Sequence, residues 1–191
     1  MKTYITSDWH FFHKNMIGEN GFISTRKKYK TIEEMNEALL LSINSIVTNN
    51  DVLIHCGDIA MNSKHKEVYE LLTNIKGQLV LIKGNHDTTR LFNYINKNNY
   101  LLGNGKLKFI TQEVGQRIKK DGAQFYITHY PLHIGENRNN IYNLCGHIHE
   151  EYPQLSNILN VGVDSPEHPF GFQPMLLEDA INLVKLKHNK S

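Results

Sequence analysis

The sequence predicts an α/β protein, a four-layer α/β/β/α sandwich in which two mixed β-sheets are flanked by helices. Between residues 3 and 82, predicted strands and helices alternate as β-α-β-α-β, which is typical of parallel strands joined by crossover helices. The second half of the chain is instead rich in short predicted strands. Two sheets packed face to face, with helices outside, would satisfy both halves. At 191 residues the chain is long enough for a substantial core, so residues 1–191 are expected to form a single domain.

The elements of the first half follow from apolar runs and capping residues. The predicted strands are residues 3–7, 52–56 and 78–82. A capping box that begins at Thr31 opens a helix that runs to about Thr48. A second helix is capped by Asn62 or Ser63, and Gly77 suits its C-cap.

The second half begins with a short helix that Thr88 or Thr89 caps, and short strands follow it. The predicted strands are residues 107–110, 113–118, 124–128, 141–145 and 158–163. Lys120-Asp121-Gly122 supplies the turn of a hairpin. Residues 176–187 predict a final helix, although a strand fits the same residues.

Composition excludes several classes of protein. The chain is 40% hydrophobic and 21% charged, which is ordinary for a soluble globular protein, and its net charge of +2 gives no general affinity for polyanions. The two cysteines, Cys56 and Cys145, are far apart, so neither a zinc finger nor a disulfide framework is expected. The sequence has no signal-peptide pattern and no long apolar span, so we expect a cytoplasmic protein that does not bind a membrane.

Polar residues follow five of the predicted strands, at the strand ends where α/β sheets place their chemistry. They are Asp8, His10, Asp58, Asn85, His129, His147 and His149. These oxygen and nitrogen donors suit first-row divalent metals better than Ca²⁺ or a cysteine-bound zinc. Seven ligands are too many for one tetrahedral ion but fit two ions if one carboxylate bridges them. We expect two divalent ions, with Mn²⁺ preferred and Fe, Zn, Co or Ni as alternatives.

His86 and Asp87 lie next to one of these ligands and are the predicted catalytic residues. Two ions about 3.5–4 Å apart lower the pKa of a shared water and clamp a phosphoryl group during in-line displacement. In this scheme a metal-bridging hydroxide attacks phosphorus. His86 protonates the leaving alkoxide or stabilises the phosphoryl charge, and Asp87 either orients His86 or caps the following turn.

Five ordered blocks of this sequence resemble those of the calcineurin-like metallophosphoesterases. The blocks are Asp8-Trp9-His10, Gly57-Asp58, Gly84-Asn85-His86-Asp87, Thr128-His129 and Gly146-His147-Ile148-His149. The short chain and the stretch from Asp8 to Asn15 resemble the small bacterial and phage members. The resemblance implies the sandwich of two mixed sheets predicted above. Many members carry an acidic residue where this chain has Met61.

The same resemblance assigns the ligands to two ions. It implies that one ion is held by Asp8, His10, Asp58 and His149. It implies that the other is held by Asp58, Asn85, His129 and His147. Asp58 is then the bridging residue, and His86 is the catalytic histidine.

Several residues other than the predicted ligands have competing interpretations. The basic cluster Arg26, Lys27, Lys28 and Lys30 is either a solvated loop face, which we favour, or an anion-attracting rim beside the site. His13 either lines the cleft or hydrogen-bonds within its loop. The remaining residues are expected to have ordinary structural roles. His55 is expected to be buried, and His65, His168 and His188 are expected at the surface. Asn160 and Asp164 are expected in a turn, Arg138, Asn139 and Asn140 in a polar loop, and Trp9 and Phe11 as packing residues.

The expected function is a dimetal phosphoesterase that hydrolyses a phosphomonoester or phosphodiester, with a small phosphate ester or nucleotide as substrate. A nuclease is the alternative enzyme and would bind nucleic acid in a salt-sensitive way, but the chain shows no clear basic stripe. A non-catalytic protein-binding scaffold on the same fold, as in the retromer subunit that lacks the catalytic histidine, is the alternative of another class. The presence of His86 with every ligand favours an enzyme. The sequence does not indicate the oligomeric state.

Overall fold

The computed structural model describes residues 1–61, 63–134 and 140–190. The strands are β1 (Thr3–Thr6), β2 (Val52–His55), β3 (Gln78–Ile82), β4 (Phe109–Gln112), β5 (Gly115–Lys120), β6 (Ala123–Thr128), β7 (Ile141–Cys145), β8 (Ile158–Asn160) and β9 (Met175–Leu176). The helices are α1 (Ile32–Ile46), α2 (His65–Thr73), α3 (Thr89–Lys97) and α4 (Leu177–Asn189), with 3-10 turns at Lys14–Met16 and Ser24–Arg26.

The strands form two mixed sheets, as the sequence predicts. The first sheet has the order β4-β3-β2-β1-β9, in which β1 to β4 run parallel and β9 runs antiparallel to β1. The second sheet has the order β5-β6-β7-β8, in which only the β5–β6 pair is antiparallel. Helices flank these sheets, so the predicted fold class is confirmed.

Both faces of the first sheet are buried. Leu79 and Leu81 of β3 pack with the apolar residues of α1, α2 and α3. Val80 and Ile82 of the same strand face the second sheet. This explains why β3 is apolar almost throughout, since a parallel strand covered on both sides cannot alternate with polar residues. Helix α4 packs its apolar face against the core between the sheets and contacts β1, β7, β8 and β9.

Helix α1 begins where its capping box predicts, while α2 is shorter than expected. The hydroxyl of Thr31 accepts the main-chain N–H of Glu34 at 3.2 Å. Helix α2 is not capped by Ser63, and the alternative cap, Asn62, lies outside the described residues. Its C-cap is Asn74 rather than Gly77, which has a positive φ of 74° and turns the chain into β3.

The strands β4 and β5 each begin two residues later than predicted. Leu107 is 47% exposed and pairs with Leu101 in an isolated bridge, and the chain enters the sheet only at Phe109. The hairpin turn after β5 is confirmed, because Asp121 and Gly122 both have positive φ, as a type I′ turn requires. Strand β8 is shorter than predicted, but Gly162 beyond it bridges to Ser7 and so links the two sheets at one end.

The final helix is confirmed as α4, and the two residues of β9 precede it. Within residues 1–61, 63–134 and 140–190, none of the helices has the length and apolar content needed to cross a bilayer.

Candidate metal centre

The seven predicted ligands come together at the edge where β1, β2, β3, β6 and β7 end. Two groups have ligand atoms within 4.8 Å of one another. The first group, here called cluster one, is Asp8, His10 and His149, and the second, cluster two, is Asp58, His129 and His147. Residues from distant parts of the sequence therefore meet in two adjacent groups, as expected of a centre with two ions.

Asp58 lies between the two clusters. Its Oδ2 is 3.4 Å from Nε2 of His10 and 3.5 Å from Nε2 of His129. Asn85 completes cluster two, since its Oδ1 lies 2.8 Å from Nε2 of His129 and 3.0 Å from Nδ1 of His147. A carboxylate that faces both clusters occupies the position that a bridging ligand needs.

The residues present fit two metal ions. In the described part of the chain, the Nε2 of His10 is buried without a hydrogen-bond partner, although it lies 3.4 Å from the carboxylate of Asp58. A buried polar atom without a partner is costly, and a metal ion would supply the missing interaction. Carboxylates, an amide oxygen and imidazoles form a donor set suited to first-row divalent ions.

Five of the seven predicted ligands have a left-handed backbone. Their φ angles are 60° at Asp8, 49° at His10, 60° at Asp58, 73° at His147 and 44° at His149. For residues other than glycine this conformation costs about 1–2 kcal/mol each. Such strain is concentrated at functional sites, where the surrounding structure holds it in place.

Two glycines let the loops of the centre approach closely. A Cβ atom at Gly84 would overlap the carboxylate and main-chain nitrogen of Asp58. A Cβ at Gly146 would overlap Ser7 Oγ and the carboxylate of Asp8. Larger residues at these two positions would push the ligands out of place.

His86 and Asp87 have different surroundings. His86 donates its main-chain N–H to Asp58 Oδ1 at 2.9 Å, and its ring nitrogen Nε2 is 3.9 Å from Asp58 Oδ2. Its side chain is about one third exposed, so the imidazole sits at the open side of the centre. Asp87 is buried, and its oxygens accept the main-chain N–H groups of Asp58, Ile59 and Gly84 at 2.8–2.9 Å. Asp87 therefore ties the loop after β2 to the loop after β3.

Comparison with known proteins agrees with this geometry. A family model described as calcineurin-like phosphoesterase matches residues 1–190. The chain belongs to this family. It is therefore a member of a family of metal-dependent phosphoric ester hydrolases, and its two Asp/His clusters could each bind a metal ion.

Individual relatives give less information about this chain than the family model does. The uncharacterized protein MJ1445 of Methanocaldococcus jannaschii is 36% identical over 87 residues, which cover 45% of this chain and 47% of that protein. The chain thus matches about half the length of this relative. The protein of unknown function AQ665 from Aquifex aeolicus has a structure with a TM-score of 0.64 and 19% identity, covering 95% of this chain and 98% of that one, which shows a shared fold. A solved structure titled as a novel archaeal phosphodiesterase reaches a TM-score of only 0.42 at 19% identity, over 86% of this chain and 84% of that one.

The histidines of this calcineurin-like phosphoesterase are mostly neutral and so keep a lone pair for a metal. Burial lowers the pKa of His10, His129 and His147 below the usual range. Burial opposes charge on His149 as well, but Asp164 and Asp8 outweigh it and raise its pKa. Bound cations would change this balance, since they favour the lone-pair form of every ligand.

Each buried histidine of the centre is held through the ring nitrogen that faces away from the clusters. Nδ1 of His10 lies 3.1 Å from Nδ1 of His13, and Nδ1 of His129 lies 3.0 Å from the carbonyl oxygen of Cys56. Burial lowers the pKa of His13 to about 4, so it is neutral and can accept the N–H of His10. Of the two roles considered for His13, the hydrogen bond within its loop is the one the structure shows.

The expectation for Arg26 was wrong, and Asp164 lies in a turn, as expected, but also has a role that was not predicted. Arg26 is fully buried instead of belonging to a solvated cluster, and it pairs with Asp164, which is also buried. The neighbouring Lys27, Lys28 and Lys30 are exposed, as expected. The sequence signal for this difference is weak, because only the choice of arginine over lysine distinguishes position 26.

Other residues outside the blocks are placed as follows. His168 is buried, against the expectation of a surface position, and its Nδ1 accepts the main-chain N–H of Phe170 at 3.3 Å. His65 and His188 are half-buried, and Asn140 is exposed. Four residues are fully buried: His55, Trp9, Phe11 and Asn160. Arg138 and Asn139 lie outside the described residues.

Proposed function

We propose that this calcineurin-like phosphoesterase hydrolyses small phosphodiesters or phosphomonoesters, nucleotides included, at a centre that holds two divalent ions. The observation that carries the proposal is the position of Asp58 between the two clusters, within 3.5 Å of a ligand nitrogen of each. Mn²⁺ is the proposed ion. When bound, two such ions supply an activated water and neutralise the charge of the phosphoryl group.

The residues around the two clusters have different proposed roles. Asp58 sets the spacing of the two clusters. Asp87 holds the main chain on both sides of Asp58 through the N–H groups of Asp58 and Ile59, and it also accepts the N–H of Gly84. His86 is the proposed catalytic residue, because its imidazole is the partly exposed nitrogen base beside Asp58. There it can donate a proton to the leaving oxygen of the ester. We therefore propose that Asp87 acts as a positioning residue and does not touch the substrate.

Two cavities beside the clusters support an ester with two substituents. One cavity of about 450 Å³ is lined by Phe22, Ile23 and residues 147–151. Another of about 240 Å³ has His86, Met61 and Thr88 in its lining. The acidic residue that many family members carry at position 61 would make this second cavity charged, so Met61 leaves it suited to a neutral or apolar group.

The position of Phe22 supports the proposal that the substrate carries a planar group. Its ring is 56% exposed although it lies edge-on to His13, with 5.6 Å between centroids, and faces His149 at 6.5 Å. An exposed aromatic ring beside a phosphate site offers a stacking surface for a nucleobase or an aryl group.

The test is an assay of the full chain after metal removal and reloading with Mn²⁺. The substrates are p-nitrophenyl phosphate, bis-p-nitrophenyl phosphate, a panel of cyclic nucleotides and a single-stranded oligonucleotide. We expect turnover of at least one small ester that depends on Mn²⁺. Preference for the oligonucleotide, with binding that weakens steeply as salt increases, would favour the nuclease alternative. No turnover of any ester with Mn²⁺, Fe, Zn, Co or Ni would contradict the proposal.

A further inference from the structure

The guanidinium of Arg26 is fully buried beneath cluster one, and all five of its N–H donors have an acceptor. Nε and Nη2 reach the two carboxylate oxygens of Asp164 at 2.9 and 2.6 Å. Nη1 donates to the carbonyl oxygen of Trp9 at 2.7 Å and lies 3.7 Å from the sulfur of Met35, and Nη2 also donates to the carbonyl oxygen of Asp8. A lysine has only three donors and cannot match this planar arrangement.

Asp164 joins this arrangement to His149. Besides Arg26, its Oδ1 accepts the hydroxyl of Thr25 at 2.8 Å. Its Oδ2 lies 3.5 Å from Nδ1 of His149, an ion-pair contact that is longer than a well-formed hydrogen bond and leaves Asp164 the carboxylate that this nitrogen faces. Metal-bound histidines commonly donate their second ring nitrogen to a carboxylate, which fixes the tautomer and the direction of the ring. With Nδ1 turned to Asp164, Nε2 of His149 is left for cluster one.

Arg26 acts on the other two ligands of cluster one through the main chain. It holds the carbonyl groups of Asp8 and Trp9, which belong to the two successive peptides that connect Asp8 to His10. Asp8 and His10 both have left-handed backbones, a conformation that is unfavourable for residues other than glycine. Their side chains therefore reach the cluster only while the surrounding structure holds this segment in that conformation.

We propose that Arg26 and Asp164 form a buried clamp that positions all three ligands of cluster one and sets its metal affinity without touching ion or substrate. The inference rests on the proposed two-metal centre. It concerns cluster one alone, because His129 of cluster two is held by the main-chain carbonyl of Cys56 instead. Loss of the clamp is therefore expected to weaken one metal site and spare the other.

The test measures Mn²⁺ binding to the metal-free full chain by calorimetry. The parent is expected to bind two ions. In Asp164→Asn and in Arg26→Lys, the affinity of one site is expected to fall about 10–100-fold, which is usual for the loss of a residue that orients a metal ligand. The affinity of the other site is expected to stay within about twofold of the parent. The matched control is Lys108→Met, which removes another buried cation, one that bonds the carbonyls of Ile75 and Gly77 at the opposite end of the first sheet.

A double variant separates positioning from stability. In Arg26→Met/Asp164→Leu, apolar side chains replace both charges, and such replacements often restore the stability that a single substitution removes. We expect the double variant to melt above either single variant, Arg26→Met or Asp164→Leu, while the weakened site stays weak. If the single and double variants fold poorly, Thr25→Val removes only the hydroxyl bond to Asp164 at an exposed position and is expected to weaken the same site a few-fold.

Four results would count against the clamp. Parent affinities at both sites in Asp164→Asn and Thr25→Val, or recovery of both affinities together with stability in the double variant, would overturn the clamp alone. Equal weakening of both sites in every variant would overturn its restriction to cluster one. A parent that binds no Mn²⁺ would overturn the two-metal centre, and the clamp with it.

Discussion

Clusters one and two are built from the same kinds of side chain but are held in place differently. In cluster one, Asp8 and His10 are buried and His149 is half-buried, and the side chains of His13 and Asp164 lie against the two histidines. In cluster two, Asp58 and His129 are buried, His147 is half-buried and the neighbouring Asn85 is exposed, while His129 lies against a main-chain carbonyl. The histidines of cluster one therefore depend on supporting side chains, whereas His129 of cluster two depends on the path of the backbone, and cluster two is open to solvent at Asn85.

The largest expected effect comes from removing the residue that the two clusters share. Asp58→Ala should reduce the affinity of both sites for Mn²⁺ and abolish turnover, because its carboxylate faces both clusters. Metal content after dialysis, measured by elemental analysis, tests this. If Asp58→Ala retained two tightly bound ions, Asp58 would not be the bridging ligand.

The second prediction separates catalysis from metal binding. His86→Ala should lower kcat by about 10²–10⁴-fold, the range for removal of a general acid, while both ions remain bound. The control is His65→Ala, since His65 lines the same small cavity but lies outside both clusters. Equal turnover by His86→Ala and the parent would show that the proton comes from another group.

The third prediction tests the dependence of cluster one on side chains. His13→Phe keeps a ring of similar shape but removes the acceptor for Nδ1 of His10, so one Mn²⁺ site should weaken about tenfold and the other should not change. Calorimetry with Mn²⁺ measures both affinities. Weakening of both sites alike would mean that the clusters are not supported independently.

The fourth prediction concerns the rates of metal release. After mixing the Mn²⁺-loaded protein with excess EDTA, two phases should appear, the faster from cluster two because Asn85, which completes that cluster, is exposed. We expect the two rates to differ by about tenfold, and Arg26→Lys should accelerate only the slower phase, in line with the usual effect of disturbing an orienting residue. A single phase in the parent would contradict the difference between the clusters.

The smallest effect is expected at the edge of the centre. Phe22→Ala should raise KM for bis-p-nitrophenyl phosphate about fivefold, with little change in kcat, because stacking of one ring is worth about 1 kcal/mol or more. Metal affinities should be unaffected. Tyr152→Ala is the control, as Tyr152 is even more exposed and lines a different cavity.

The residues at the strand ends could be predicted from the sequence because each lies directly after an apolar run. The parallel order of the strands then brings Asp8, Asp58 and Asn85 to one edge. The clamp could not be predicted in this way. Arg26 and Asp164 are 138 residues apart, and Arg26 stands among lysines that are exposed, so only the folded chain shows that one member of a basic run is buried.

The prediction of the fold from the sequence was limited in the same way, because contacts between distant segments could not be predicted. The spacing of apolar residues and the capping residues predicted where α1 and β3 lie, because these signals come from residues close together in the sequence. The positions of β4 and β5 and the end of α2 depend on contacts between distant segments. Lys108, for example, has its ammonium group buried against the carbonyls of Ile75 and Gly77, a contact that no local pattern indicates.

The left-handed turns at the metal ligands have a consequence for how this protein would respond to selection. Replacing His10 or His149 by glycine would remove an unfavourable backbone conformation worth about 1 kcal/mol or more, and would also delete a ligand. A screen that rewards only heat resistance of the metal-free chain would thus enrich sequences whose centre has been lost. Directed evolution of this protein toward robustness has to monitor activity in every round.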